Sequence, residues 1–580
     1  MRRLRIKIVG ESGSGLLTTG EIILAALKSM GVFLHADREY PSLIKGGASC
    51  FTINVSDEPI FSLSEMADVM LVIDKPSLLA YNDKLKDGGV LIHGYDRVKG
   101  IADILAKLGE RDVKIVSTEA RELAFSVGGN ALMVNVLLVG MLWQVLGLSY
   151  ERLEAVVREK FASKPKLVEL NLKCLKVGFE ATQAHFDLPI RGNVADPKML
   201  LIDGNKAVAL GAVAAGVRAY YAYPMSPSSS ILTYLKDFAV KTGMHVQQVE
   251  DEISVVQMAL GSMYAGTRAL CATSGGGFDL MTESVSLAGI VEVPLVIVIA
   301  QRPGPGTGLP TWTMQGDLNL AIYAGHGEFA RIVLAVADAE TAFALTKDAL
   351  NLAEKFQVPV LLLTEKVIAE SQFMAERFVD GPKEKLDRGL VLGSAEMADL
   401  KREDRYEITE SGVSKRWLPG SSAAYYFANG DEHLPDGSLT EDADMAGAMY
   451  AKRVRKLNLI AKELPEPLVY GDPVAKVSFV GFGSTLNTMR DVIGELADQG
   501  VSVNYLHFEY LYPLKTNSEV VRQFLAKNPK IHLLEGNYTG QFGQIFEQGY
   551  GVSFAGKLLK YNGRPFFLED VLDYIKNILN

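Results

Sequence analysis

Three side chains near the middle of the sequence have types and settings that could handle a proton, a hydroxyl contact or a carboxylate. Glu252 lies in EDEISVVQMALGSMYAG (250–266), an acidic start followed by helical spacing. A carboxylate in a dry crevice could exchange a hydrogen bond with a heteroaromatic ring nitrogen, its pKa set by desolvation and by that partner. The other reading of these acids is favourable interaction with a helix amino end. Glu252 is the acid best placed to face inward, since Ile253, Val256 and Leu260 mark the adjacent apolar face. Ser226 sits in YPMSPSS (223–229), where prolines fix the chain and the hydroxyl can donate to a bound anion. Its alternative is a turn or helix cap. Arg302 follows the apolar run PLVIVIA and could present two parallel N–H donors to a carboxylate, with a structural salt bridge as the alternative.

Glycine-rich stretches add further candidates. GESGSG, with Gly10, Gly13 and Gly15, follows a strand pattern and opens a helix, so its backbone N–H groups could face an anion. It is neither GxGxxG nor a Walker A loop, and such glycines also serve as packing devices. EYPSLIKGG (39–47), with Lys45, Gly46 and Gly47, could close over an anionic ligand or form a surface turn. TSGGGFDLM (273–281) reads as a backbone turn close to ligand, and His326 and Glu328 in GHGEF read as loop structure or interdomain bonding.

The elements that must position these residues read as buried strands alternating with amphipathic helices. Residues 4–9, 69–73, 294–300, 358–364 and KVSFVG near 476 are short, nearly continuous apolar runs, as in sheets covered on both faces. Helices are expected over 16–30, 204–216, 250–266 and 485–496. The class is therefore α/β, and 580 residues require several packed units. Residues 186–195 read as a linker, and about 372–470 as a charged, irregular excursion.

Composition narrows the function. A net charge of −10, with no long basic run to offset it, gives no help in binding a nucleic acid backbone. The longest apolar stretch, 131–146, is shorter than the roughly 20 residues that cross a bilayer. Cys50, Cys174 and Cys271 are too widely spaced for a disulfide framework or an iron–sulfur site. Any redox chemistry must pass its electrons to another chain.

The ordered motifs together, namely the 10–15 loop, GNKAVALGAVAAG, YPMSPSS, EDEISVVQMALGSMYAG, TSGGG, QRPGPGTGLPT, QGDL, HGE, SKRWLPG, EH at 432–433, GFGST and EGNYTGQ, carry a resemblance over nearly all of the chain. It resembles the alpha subunit of a 2-oxoacid:ferredoxin oxidoreductase, of the 2-oxoglutarate type with a gamma domain fused at its N-terminus. The resemblance implies a gamma-like α/β domain over 1–190, a pyrimidine-binding domain of the thiamine-diphosphate-enzyme kind over 191–375, an irregular connecting and interface region over 376–470, and a transketolase C-terminal-like α/β domain over 471–580. It implies thiamine diphosphate at an interface with a separate beta subunit, which supplies Mg2+, the diphosphate-binding residues and a [4Fe-4S] cluster; no metal is assigned to this chain.

By the same resemblance, Glu252 matches the glutamate facing N1' of the aminopyrimidine and Arg302 the arginine holding the 2-oxoacid carboxylate. Ser226 stands at the substrate-side threonine of YPITPSS, and Thr307 belongs to the same substrate-facing segment. Coenzyme A would bind through Gly10, Gly13, Gly15, Lys45, Gly46 and Gly47. The implied reaction is coenzyme A-dependent oxidative decarboxylation, with electrons passing through the beta subunit to ferredoxin. A cytoplasmic dimer of alpha–beta pairs is expected, with neither nucleic acid nor membrane as a partner. Departures are Ser226 for threonine, Gly306 for the serine of GPSTG, TSGGG for TSGPG, a 10–15 loop that lacks the usual GQG ending, and Lys45 for arginine. An indolepyruvate oxidoreductase, a non-oxidative decarboxylase or a non-catalytic structural subunit would share much of this pattern.

Overall fold

In RLRIKIVGE every residue from 6 to 10 is buried, which makes Arg3–Glu11 an interior strand. Ala67–Val72 pairs with it in parallel, from Ile6 opposite Val69 to Val9 opposite Val72. Its other neighbour, Ala48–Ser56, runs antiparallel and forms a hairpin with Phe33–Glu39. The sequence reading anticipated the parallel pair but not this hairpin. The computed structural model describes residues 3–43, 46–95, 100–184, 192–378 and 386–580. These fall into two compact units.

The first unit takes Met1–Leu201, Ser371–Arg377 and Phe567–Asp573. Its sheet runs, in order, Lys114–Ser117, Leu85–His93, Ala67–Val72, Arg3–Glu11, Ala48–Ser56, Phe33–Glu39 and Gln372–Ala375. The apolar stretch at 131–146 becomes the helix Val134–Val145, whose Leu137, Val139, Leu142 and Trp143 are fully buried. Its apolar composition therefore serves the core. No single helix among the described residues is long and apolar enough to cross a membrane.

The second unit takes Ile202–Glu370, Phe378–Phe566 and Tyr574–Asn580. One sheet runs Tyr510–Tyr512, Ile332–Ala335, Pro359–Glu365, Leu295–Gln301, Ala269–Thr273, Ala219–Ala222 and His245–Gln248. All its pairings are parallel except that of Tyr510–Tyr512. A second sheet runs Leu468–Gly471, Val503–Phe508, Val477–Phe482, Ile531–Glu535 and Gly556–Leu559. The strands expected near 294, 358 and 476 are present as Leu295–Gln301, Pro359–Glu365 and Val477–Phe482, and every one of their residues is buried. The class is α/β, as the apolar runs required.

Two features differ from the sequence reading. TSGGG is not a free turn: Ser274 is the N-cap and Gly275 the first residue of the helix Gly275–Ile290. The charged excursion contains a 21-residue helix, Ala443–Glu463. Lys452, Arg453 and Lys456 on that helix are buried, so its inward face carries charge and hydropathy periodicity could not mark it.

Candidate functional site

The site in the second unit is built where strands of the first of its sheets give way to loops and helices. Asp251 caps the helix Glu252–Tyr264, accepting from the Ile253 N–H at 2.9 Å. Glu252 is turned inward and is 4% exposed. The helix-end reading of the acidic start thus holds for Asp251, while Glu252 is the acid that turns away from solvent. Ile253, taken from the sequence as part of the inward face, is 48% exposed, and the buried face is Val255, Val256, Ala259 and Leu260. The inward aim of Glu252 comes from the capping geometry instead.

What faces Glu252 is the glycine turn of the next helix. A Cβ on Gly277 would lie 2.8 Å from Glu252 Oε1 and 2.1 Å from Thr273 Oγ1, so only glycine fits there. The carboxylate has no hydrogen-bond partner among the described residues. Without a hydrogen bond of its own, this carboxylate could accept one from a ligand, for instance from the ring N–H of a pyrimidine in its protonated or imino form.

Arg302 and Ser226 meet directly. Arg302 Nη1 donates to the Ser226 carbonyl at 2.8 Å, and the Ser226–Pro227 peptide is cis. Asn205, in the helix Gly204–Ala214, donates to the Pro227 carbonyl and to Ser230 Oγ, each at 2.7 Å, which pins this loop. The Ser226 contact uses the backbone, so its hydroxyl is left for other partners. Thr307 lies in the exposed loop that follows Arg302. Gly306 in that loop has φ +62°, a left-handed conformation that glycine adopts more readily than serine.

Asp317 and Gln315 carry a network that reading the residues singly did not anticipate, although QGDL belonged to the family pattern. Gln315 Nε2 donates to Glu365 Oε1 at 2.8 Å and to the Phe482 carbonyl at 2.9 Å, while its Oε1 accepts from the Gly536 N–H at 2.7 Å. Asn537 Nδ2 donates to the Gln315 carbonyl at 2.9 Å. Two residues on, the Asp317 N–H donates to Gln301 Oε1 at 3.0 Å. Burial and the charge of Asp279 push the Asp317 carboxyl up to about 6 against the opposing pull of Arg302. Burial lowers the Arg302 pKa, and Asp317 opposes that shift.

His326 and Glu328 form loop structure. The His326 N–H donates to Ser286 Oγ, and Tyr450 donates its hydroxyl to Glu328 Oε2 while accepting from the Glu328 N–H. They line a cavity of about 230 Å³ with Glu283, Glu432 and Arg453.

In the first unit the two glycine segments lie side by side. The Ser12 N–H donates to the Gly47 carbonyl at 3.1 Å, and the Gly46 N–H to the Ser12 carbonyl at 3.3 Å. Gly10 belongs to the strand rather than to the loop. Gly13 and Gly46 have open space where a side chain would stand, whereas Gly15 is closed by Asn135 and Gly47 by Pro41. Lys45 lies outside the described residues. A cavity of about 270 Å³ opens beside Gly15, lined by Thr18, Asn130, Asn135, Val139 and Phe161 among others.

Comparison with known proteins bears on both units. Residues 210–389 match the family described as pyruvate flavodoxin/ferredoxin oxidoreductase, thiamine diphosphate-binding, and residues 5–181 match pyruvate ferredoxin/flavodoxin oxidoreductase. The 2-oxoacid:ferredoxin oxidoreductase subunit alpha of Saccharolobus solfataricus is 31% identical over 632 aligned positions, covering 100% of this chain and 98% of that one. The 2-oxoglutarate oxidoreductase subunit KorA of Mycobacterium tuberculosis is 28% identical, covering 99% and 91%. A solved 2-oxoglutarate:ferredoxin oxidoreductase from Magnetococcus marinus, with 2-oxoglutarate, coenzyme A and succinyl-CoA bound, matches with TM-score 0.89 and 27% identity over 100% of both chains. Full-length likeness and the placement of the sequence motifs therefore agree, and the chain belongs to the 2-oxoacid:ferredoxin oxidoreductase alpha-subunit family.

Proposed function

We propose that this subunit works on 2-oxoglutarate, with Glu252 as its contact to the thiamine pyrimidine and Arg302 as its contact to the substrate carboxylate. The observation that carries the reading is the Glu252 side chain, 4% exposed and set against the glycine turn, where a Cβ on Gly277 would meet its Oε1. Thiamine diphosphate, when bound, supplies the carbon nucleophile for the 2-oxo group and the electron sink for decarboxylation. Glu252 would accept a hydrogen bond from N1'–H and so favour the imino form of the ring, whose exocyclic nitrogen is basic. Arg302 would orient the 2-oxoacid through its carboxylate, its guanidinium already held from one side by the Ser226 carbonyl. The Ser226 hydroxyl and Thr307 would contact the substrate beside it.

The glycine segments of the first unit would hold coenzyme A, with Gly13 and Gly46 offering backbone surface clear of side chains. A separate beta subunit would bring Mg2+, the diphosphate-binding residues and a [4Fe-4S] cluster, and ferredoxin would take the electrons. Residues 1–190, 191–375, 376–470 and 471–580 are the working domain divisions, and a cytoplasmic dimer of alpha–beta pairs the working assembly. The 2-oxoglutarate preference draws on the KorA relative and on the Magnetococcus marinus enzyme.

The test is co-purification with the beta subunit and assay of a 2-oxoacid panel with ferredoxin or viologen. The expected result is acceptor reduction that depends on coenzyme A and is greatest with 2-oxoglutarate. Glu252→Gln should lower turnover by roughly a hundredfold or more while leaving assembly intact. Equal turnover in that variant would remove Glu252 from the chemistry.

A further inference from the structure

One buried amide in the second unit has no part in the proposed chemistry. Asn205, on the first turn of the helix Gly204–Ala214, is 0% exposed. Its Nδ2 donates to the Pro227 carbonyl and to Ser230 Oγ, each at 2.7 Å, whereas its Oδ1 is buried and has no partner among the described residues. Burial of that oxygen is unfavourable, with no hydrogen bond to offset it. An apolar side chain would avoid the cost, so what asparagine supplies at this position is the pair of donors.

The helix that carries Asn205 is itself fixed. Asp203 caps it by accepting from the Lys206 N–H at 2.8 Å, and the Tyr234 hydroxyl donates to the other oxygen of Asp203 at 2.5 Å. A Cβ on Gly204 would press on the Ile368 carbonyl, so the helix start lies directly on the backbone that follows the strand Pro359–Glu365. Asn205 therefore ties residues 227 and 230 to a rigid base. On the other side of Ser226, the Ser228 N–H and hydroxyl both donate to the Met225 carbonyl, at 2.9 and 2.8 Å, and close a turn. Between these fixed points the Ser226 carbonyl accepts from Arg302 Nη1 at 2.8 Å. That is the one hydrogen bond of the Arg302 guanidinium among the described residues. Arginine has many rotamers, so a guanidinium held at a single point takes its direction from that point.

We infer that Asn205 is a positioning residue for substrate docking: by holding the Pro227 carbonyl and Ser230 it sets the place of the Ser226 carbonyl, and through it the direction in which Arg302 meets a 2-oxoacid carboxylate. The inference rests on the reading of Arg302 given above. Asn205 touches neither substrate nor cofactor in this scheme, and its effect travels through one backbone carbonyl. Its loss is therefore read in the handling of the 2-oxoacid and not in the affinity for thiamine diphosphate.

The experiment uses the reconstituted alpha–beta complex and three readouts: kcat/KM for 2-oxoglutarate, the dissociation constant of 2-hydroxyglutarate, which keeps both carboxylates and cannot be decarboxylated, and the dissociation constant of thiamine diphosphate. Asn205→Leu is nearly isosteric and has no donor, while Asn205→Ala removes the side chain without crowding the site. Both residues favour a helix, so the pair guards against one variant failing to fold. Each should lower kcat/KM and weaken 2-hydroxyglutarate by about tenfold, with thiamine diphosphate affinity kept within about twofold. In an Arg302→Gln background the same substitution should cost no more than about a further twofold, because residues that act through one contact are not additive. Undiminished 2-hydroxyglutarate binding in Arg302→Gln sinks the reading of Arg302 and the route from Asn205 with it. Three outcomes sink the role of Asn205 alone: weakened binding in Arg302→Gln beside unchanged binding in the Asn205 variants, an equal loss of thiamine diphosphate affinity in those variants, or losses that multiply in the double variant.

Discussion

Gly275, Gly276 and Gly277 stand together in the sequence but face different things. Gly275 makes room for Asp317 and Gly277 for Glu252, while a Cβ on Gly276 meets only the Gly306 carbonyl, at 3.9 Å. Two of the three are therefore demanded by carboxylates packed on the first helical turn. Gly277→Ala should push against Thr273 and Glu252 and lower turnover by about a hundredfold, measured beside the unchanged secondary structure of the complex. Gly276→Pro should be accepted, because the first turn of a helix needs no N–H there. It should raise thermal stability by about 0.4–1 kcal/mol through the unfolded chain, and a drop in melting temperature would show that the site needs that glycine. The flexibility added where relatives carry TSGPG is then a feature of the unfolded state more than of the site.

The helix Ala443–Glu463 shows how an element can be held by charge. Lys452 and Lys456 reach Glu292 at 2.5 and 2.6 Å, and all three side chains are almost wholly buried. Burial alone would raise the Glu292 pKa, but Lys452, Lys456 and Arg405 outweigh it and hold the carboxyl well below the usual range. Glu292→Gln should leave two ammonium groups buried without their anion and cost about 3–5 kcal/mol, read as a fall in the denaturant midpoint. A cost below about 1 kcal/mol would mean that water or a displaced backbone group replaces the carboxylate. Nearby, Glu354 pairs with Arg268, Arg388 and Arg416, so residues 386–416 are tied to the second unit's core by the same physics.

At the scale of the whole molecule, buried acids set the pH dependence of stability. Burial, together with the charges of Asp338 and Asp348, pushes the Glu509 carboxyl up to about 7. Its folded pKa lies above that of the unfolded chain, roughly 4.3. The unfolded state ionises first as pH rises, so Glu509 lowers stability progressively between about pH 4.3 and 7. Denaturant midpoints taken from pH 5 to 8 should fall with pH, and Glu509→Gln should flatten part of that slope. Glu292 acts in the opposite sense, stabilising above the unfolded carboxylate pKa and losing its effect in acid.

Much of the architecture was legible in the residues. Continuous apolar runs such as PLVIVIA and KVSFVG can be stable only when both faces are covered, and they became interior parallel strands. The motif order was equally legible, because each loop keeps its chemistry wherever it lies. What the linear chain could not contain was the meeting of distant residues. Glu252 faces Gly277, Asp317 presses on Gly275, and Gln315 joins Glu365 to Phe482 and Gly536. The helix carrying Lys452 and Lys456 was hidden for the same reason, since a buried lysine looks like a solvated one until its carboxylate is found. Local hydropathy determines which segments enter the core, whereas the pairing of buried polar groups is a long-range condition met only when the chain has folded.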